Sequence, residues 1–151
     1  MRIVIQRVSQ ASVTIDGHEK SRISCGLLVL LGITTDDDQT DIDYLVKKLV
    51  NLRIFDDSDG VMNLSVQDVN GEIMVISQFT LMASTKKGNR PSYIRAAGHD
   101  ISIPLYDAFI HSLETATGKK IATGEFGADM KVSLLNDGPV TIIIDSKQKD
   151  L

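Results

Sequence analysis

Gly26-Leu27-Leu28-Val29-Leu30-Leu31-Gly32-Ile33 is apolar along its whole length. A strand with one face in water alternates apolar and polar residues, and this run does not. It reads as a β-strand covered on both faces. Toward the N-terminus the pattern changes. Ile3, Ile5 and, less regularly, Val8 point one way between polar residues, and Ser12 to Ile15 alternates again. Asp16-Gly17 is a hairpin turn signal, so residues 1–33 read as a succession of strands. Cys25, at the edge of the apolar run, reads as a small buried hydrophobe.

Toward the C-terminus, Thr34 to Thr40 is a polar, acidic loop. A helix follows, capped by Asp38 or Thr40, with Ile42, Leu45, Val46, Leu49 and Leu52 at three- and four-residue steps. Asp41 and Asp43 in its first turn and Lys47 and Lys48 further on complement the helix dipole. Asp56-Asp57-Ser58-Asp59-Gly60 is a turn. It lacks the downstream glutamate of a calcium loop, because Val61 to Val69 holds only Asp68 as an acid. Glu72 to Ser77 reads as a strand that ends in Gln78-Phe79-Thr80, and Thr80 to Gly98 as a basic loop. The periodicity predicts a second helix from about Ser102 to Thr117, with Pro104 in its first turn, a buried stripe of Leu105, Phe109, Leu113 and Ala116, and Gly118 as its stop. Lys131 to Leu135 and Val140 to Asp145 read as the last strands, separated by a turn at Asn136-Asp137-Gly138-Pro139, with a frayed tail from Ser146. Strands outnumber helices and do not alternate regularly with them. The expected fold is therefore α+β, a single domain over 1–151 with a curled, mostly antiparallel sheet or barrel and two main helices.

Composition narrows the function classes. With 42% hydrophobic and 24% charged residues the chain is ordinary globular material. A net charge of −4 argues against a protein that coats nucleic acid by bulk charge, though a local basic patch is compatible with it. No apolar run approaches the ~20 residues of a membrane helix. The first residues lack the apolar core of a secretory leader, and a single cysteine suits a reducing compartment, so a cytoplasmic location is expected.

Familiar catalytic patterns are missing. There is no phosphate-binding loop, no cysteine pair for zinc and no serine-hydrolase elbow. His18, His99 and His111 have no metal-pair spacing and read as surface residues. Neither metal nor cofactor is expected. Two segments remain. Ser77-Gln78-Phe79-Thr80-Leu81 puts polar residues at the end of the strand carrying Ile73-Met74-Val75-Ile76, a common place for a site. Asn136-Asp137-Gly138-Pro139-Val140-Thr141 makes a good β-turn, but Gly-Pro also permits backbone forms closed to other pairs. Each signal is weak alone.

In this order, the two segments resemble the D-aminoacyl-tRNA deacylase family. The resemblance spans nearly the whole chain. It includes Met1-Arg2-Ile3-Val4-Ile5-Gln6-Arg7-Val8, Lys87-Gly88-Asn89-Arg90-Pro91-Ser92 and Phe126-Gly127-Ala128-Asp129-Met130; only Met82-Ala83-Ser84-Thr85 departs from the pattern. It implies a cytoplasmic homodimer that hydrolyses the ester between a D-amino acid, or glycine, and tRNA, a proofreading step in translation. It implies a catalytic segment at Ser77, Gln78, Phe79 and Thr80. It further implies a cis Gly138-Pro139 bond that enters the other subunit's pocket and rejects L-amino acids. Backbone N–H groups near Gln78, Phe79 and Thr80 would hold the oxyanion. No His or Lys stands near Thr80 in sequence to activate it, which favours attack by water assisted by the ribose 2′-hydroxyl. Phe79 would pack on the terminal adenosine, Lys86, Lys87, Arg90 and Arg95 would meet tRNA phosphates, and Arg7 would brace the Gly-Pro element. An esterase of small acyl compounds and a noncatalytic RNA-binding module are the competing readings.

Overall fold

The computed structural model describes residues Met1–Leu151. Its spine is β1 (Arg2–Ile15). Along one edge of β1 lie two antiparallel partners in series. β3 (Gly26–Gly32) pairs with Arg2 to Val8, and β2 (His18–Ile23) pairs with Ala11 to Ile15. The other edge is taken by a single 16-residue strand, β8 (Met130–Asp145), which runs antiparallel along nearly all of β1. The β1–β2 connection is the expected hairpin. Asp16 (φ 50°) and Gly17 (φ 77°) both take the left-handed conformation that a tight turn between twisted strands needs.

Beyond β3 the sheet turns parallel, through β6 (Glu72–Ser77) to β7 (Ala122–Thr123). The sheet is therefore mixed but mostly antiparallel, as expected: three of its five strand pairings are antiparallel, and only the two that β6 makes are parallel. Parallel neighbours need long crossovers, and here each crossover carries a helix: α1 (Gln39–Asn51) before β6 and α2 (His99–Thr117) before β7. A small antiparallel pair, β4 (Phe55–Asp56) and β5 (Met62–Leu64), closes the acidic turn at residues 56–60. The Asp57 carboxylate accepts N–H bonds from Asp59 and Val61 across that turn. The large sheet curls until its two ends meet, where the Ser21 hydroxyl donates to the Thr123 carbonyl at 2.7 Å.

Curling divides the core in two. Ile3, Ile5, Leu27, Val29, Leu31, Ile73 and Val75 face the helices and pack on Ile42, Leu45, Leu49, Phe109 and Leu113. Val8, Ala11, Val13, Ile23, Leu28, Met74 and Ile76 fill the inside of the curl. The Gly26–Ile33 run supplies side chains to both, and so it has no polar position. Each fully buried Leu or Ile adds roughly 1.5–3 kcal/mol.

Several expectations change in detail. Asp38 caps α1 and forms a capping box with Asp41. α2 begins at His99, ahead of Ser102, which puts Pro104 past the first turn. Its buried stripe is Ser102, Tyr106, Phe109 and Leu113; Leu105 is only half-buried and Ala116 exposed, because the helix is rotated to bring Tyr106 onto the sheet. There the Tyr106 hydroxyl donates to the Val75 carbonyl at 2.8 Å. Cys25 is exposed, since it belongs to the turn before β3 and not to the strand.

The tail is not frayed at Ser146. Its N–H bonds the Met1 carbonyl at 2.9 Å, and Lys147 reaches the Asp41 carboxylate at 3.0 Å. Burial pushes the Asp41 and Asp145 carboxyls up. Hydrogen bonds outweigh it, from Ser146, Asp38 N–H and Lys147 to Asp41 and from Lys147 N–H, Gln148 N–H and Arg2 to Asp145, and both titrate below the usual carboxylate range.

Candidate active site

β6 leaves the sheet at Ser77, and the chain bends at once into a 3₁₀ turn, Phe79–Met82. The Gln78 N–H donates to the Leu31 carbonyl at 2.7 Å, which fixes the exit to the end of β3. Buried Met82 anchors the far end of the turn. The fit is close because β3 ends in glycine. A Cβ on Gly32 would stand 2.8 Å from Met82 Cε and 2.9 Å from Leu81 Cβ. The first N–H groups of such a turn, those of Phe79 and Thr80, have no carbonyl within it to bond.

This exit forms one side of a cleft of about 630 Å³. Leu31, Ile33 and Ile76 make its floor, and Ser77, Gln78 and Phe79 its near side. His99 and Ser102 at the start of α2, with Phe126, make the far side. Phe126 is held edge-on between the His99 ring (5.4 Å) and Tyr106 (5.8 Å). His99 is exposed, as a surface histidine should be, yet it borders the cleft. No spacing in the sequence singles out this aromatic wall, because its members come together only when α2 packs on β6.

Ser77, Gln78 and Phe79 line the cleft; Thr80 stands behind them, half-buried. The Gln78 side-chain amide donates to the Thr80 hydroxyl. An amide cannot take up a proton at neutral pH, so this contact orients the hydroxyl without activating it. Phe79 is 56% exposed and meets Tyr93 edge to face at 5.1 Å.

Tyr93 belongs to the basic loop. A two-way bridge between Ser84 and Ser92 (2.8 and 2.9 Å) pinches off the segment bearing Lys86, Lys87 and Arg90. The Ala97 N–H bond to the Ile33 carbonyl (3.0 Å) seats its far end on the cleft. Lys86, Lys87, Arg90 and Arg95 are all exposed, and none joins an ion pair within the chain.

Gly138 and Pro139 lie elsewhere. The sequence suggests a turn between two strands at Asn136 to Pro139, but these residues lie in a bulge inside β8 that runs from Asn136 to Val140. Val8 pairs with Asn136 and Gln6 with Thr141, so Asp137 to Val140 balloon out opposite the single residue Arg7. The halves on either side both pair with β1, and this makes them one strand. Gly138 and Pro139 are exposed, and the bond between them is cis. Arg7 reaches the bulge from β1. Its Nε donates to the Asp137 carbonyl at 2.9 Å and its Nη1 to the Ile54 carbonyl at 2.7 Å, and it is only 8% exposed. Neither Gly138 nor Pro139 borders the cleft of its own chain.

Known proteins match the chain over almost its full length. A family model described as D-Tyr-tRNA(Tyr) deacylase matches residues 4–145. Proteins named D-aminoacyl-tRNA deacylase from Flavobacterium psychrophilum and Bacteroides fragilis are 65% and 67% identical over 150 residues, 99% of this chain and 100% of each relative. A solved structure titled c-Myc DNA Unwinding Element Binding Protein superposes with a TM-score of 0.92 at 41% identity, covering 96% of this chain and 98% of its own. Another, titled as a probable eukaryotic D-amino acid tRNA deacylase, shares the fold with a TM-score of 0.81 at 19% identity, over 95% of this chain and 97% of its own. A cleft at the end of β6, an exposed Gly-Pro bulge on β8 and this family match, which takes in both, place the chain in the D-Tyr-tRNA(Tyr) deacylase family.

Proposed function

We propose that this protein hydrolyses the ester that joins a D-amino acid, or glycine, to the terminal ribose of tRNA, and so proofreads translation in the cytoplasm. The observation that carries this reading is the cleft beside Ser77, Gln78 and Phe79 in a chain of this family. Water attacks the ester carbonyl carbon, the bond to the ribose oxygen breaks, and free amino acid and tRNA leave. The N–H groups of Phe79 and Thr80, left without partners in their turn, are suited to the developing oxyanion. Thr80 positions groups and does not attack, and the ribose 2′-hydroxyl assists the water. The exposed Phe79 ring receives the terminal adenosine, and Lys86, Lys87, Arg90 and Arg95 on the loop whose far end seats on the cleft meet phosphates.

The working unit is a homodimer. The Gly138-Pro139 bulge stands outside its own cleft and projects from an edge strand that also carries exposed Leu134, Leu135 and Ile143. Seated in a second copy, its carbonyls would meet the substrate amine and leave no room for an L side chain, while glycine has none to reject. Arg7 braces the element. Two measurements test the reading together. Release of D-tyrosine but not L-tyrosine from charged tRNA is expected, from a species that light scattering finds to be a dimer. Equal release of both enantiomers, or full activity from a monomer, would sink it.

A further inference from the structure

One polar side chain in the bulge has no part in the mechanism just described. Asn136 begins the bulge, and its side-chain amide is half-buried beneath it. Its Nδ2 makes two bonds, one to the Arg7 carbonyl at 2.9 Å and one to the Val140 carbonyl at 3.0 Å. The Val140 bond crosses the mouth of the bulge from its first residue to its last. The Arg7 bond ties that mouth to the facing strand, at the residue whose guanidinium holds the Asp137 carbonyl from the other side. Asn136 and Arg7 thus hold each other's segments: the side chain of each is bonded to main chain in the other's strand.

The bulge has little freedom left to rearrange within this frame. A Cβ on Gly138 would stand 2.3 Å from the Val140 nitrogen and 2.7 Å from its Cγ2, so the loop is already folded tightly against its own exit. What the frame does not fix by packing is the direction in which the exposed Gly138 and Pro139 project. That direction depends on the distance across the mouth, and the mouth is spanned by the Asn136 amide.

Resting on the reading of Gly138-Pro139 as the element that enters the second copy's cleft, we propose that Asn136 is a positioning residue for chiral discrimination. Its two N–H bonds set the width of the bulge and with it the aim of the Gly138 and Pro139 carbonyls. Asparagine suits this place for a chemical reason. Both partners are carbonyls, so the side chain must donate twice from one atom, which an amide nitrogen can do and a carboxylate cannot.

The test is Asn136→Asp, which keeps the shape, removes both donors and sets a carboxylate against two carbonyl oxygens. At neutral pH kcat/KM for D-tyrosyl-tRNA should fall roughly 10- to 100-fold, carried by kcat, as expected when reacting groups are held about 1 Å out of place. The preference for D over L should shrink, and KM for the tRNA should hold. Acidification should restore part of the activity relative to the parent at the same pH, because a protonated carboxyl regains one donor. Such rescue ties the loss to the missing donors, and the fall in D/L preference separates positioning from a merely structural role. Asn136→Ser, a single neutral donor, should fall between the two. Hydrogen exchange at Gly138 and Val140 reads the clasp without any activity and should be faster in Asn136→Asp. An unchanged D/L preference, a loss that merely tracks melting temperature, or equal exchange in both proteins overturns the proposal. A parent inactive on D-tyrosyl-tRNA but with slower exchange than its variant overturns the functional reading and leaves the clasp standing.

Discussion

The exit of β6 and the bulge of β8 treat their backbone in opposite ways. The Ser77–Thr80 segment is concave. It is anchored at both ends, by the Leu31 carbonyl and by Met82, and it turns polar groups toward a cleft floored with Leu31, Ile33 and Ile76. The Asp137–Val140 segment is convex. It rises from a half-exposed strand, and every group that holds it, the Arg7 guanidinium and the Asn136 amide, lies at its base. One is a recess and the other a projection, and within one chain Gly138 and Pro139 do not border the cleft. The contrast teaches that each element can be ordered independently; on the proposed reading, both become useful only when two copies meet.

The sharpest way to break this contrast is at the convex element. Gly138→Ala puts a methyl group 2.3 Å from the Val140 nitrogen. The bulge must shift, and a displacement of about 1 Å at an active site costs on the order of 100-fold. A loss of that size in kcat/KM on D-aminoacyl-tRNA is expected, with the cleft and the global melting temperature nearly intact. Retained activity would remove the bulge from the site. Next comes the concave element. Thr80→Ala deletes a hydroxyl that only accepts from Gln78, so about a tenfold loss is expected, near the net worth of one hydrogen bond. Complete loss, with an acyl-enzyme trapped on Thr80 in the parent, would make Thr80 the nucleophile.

These two elements also mark what the sequence could and could not disclose. Hydrophobic pattern alone gives β3, the hairpin at Asp16-Gly17, α1 and the end of β6, because each is written in consecutive or evenly spaced residues. The parallel part of the sheet leaves no local trace, since the pairing of β3 with β6 is decided by the helix between them. The β8 bulge was legible as unusual chemistry at Gly-Pro but read as a turn. Turn and bulge use the same residues and differ only in whether the two flanks pair with each other or with a third strand. Ser77, Gln78 and Phe79, which the motif singles out, line the cleft, while the wall made by His99 and Phe126 depends wholly on tertiary packing.

A smaller effect is expected at the basic loop. Replacing Lys86, Lys87 and Arg90 with glutamine should raise KM for tRNA several-fold and flatten the dependence of log KM on log salt by roughly 2 to 3, as fewer counterions are released. Handedness should not change, because these residues serve neither the cleft floor nor the bulge. An unaltered slope would return the loop to a solvated surface. The smallest effect concerns the strand frame. Asp41 and Asp145 have folded-state carboxyls held below the ordinary range, so their contribution is complete above the unfolded value of about 3.9 and is lost as pH falls through the lower folded values. Melting temperature should be flat from neutral pH down to about pH 5 and then decline. Asp145→Asn should make that acid limb shallower. A limb of unchanged steepness would show that the end of β8 is held by other means.

The continuity of β8 has a consequence for length. Upstream of the bulge Met130 and Val132 turn toward the inside of the curl, and downstream of it Val140, Ile142 and Ile144 turn toward the helices. Both halves are locked to β1, and side chains along a strand change face at every residue. Because each half takes its facing from β1, adding or removing a residue between Asp137 and Pro139 changes the bulge alone and leaves the facing of both halves unaltered. The projecting loop is like a telescope on a fixed mount, and its reach can evolve one residue at a time.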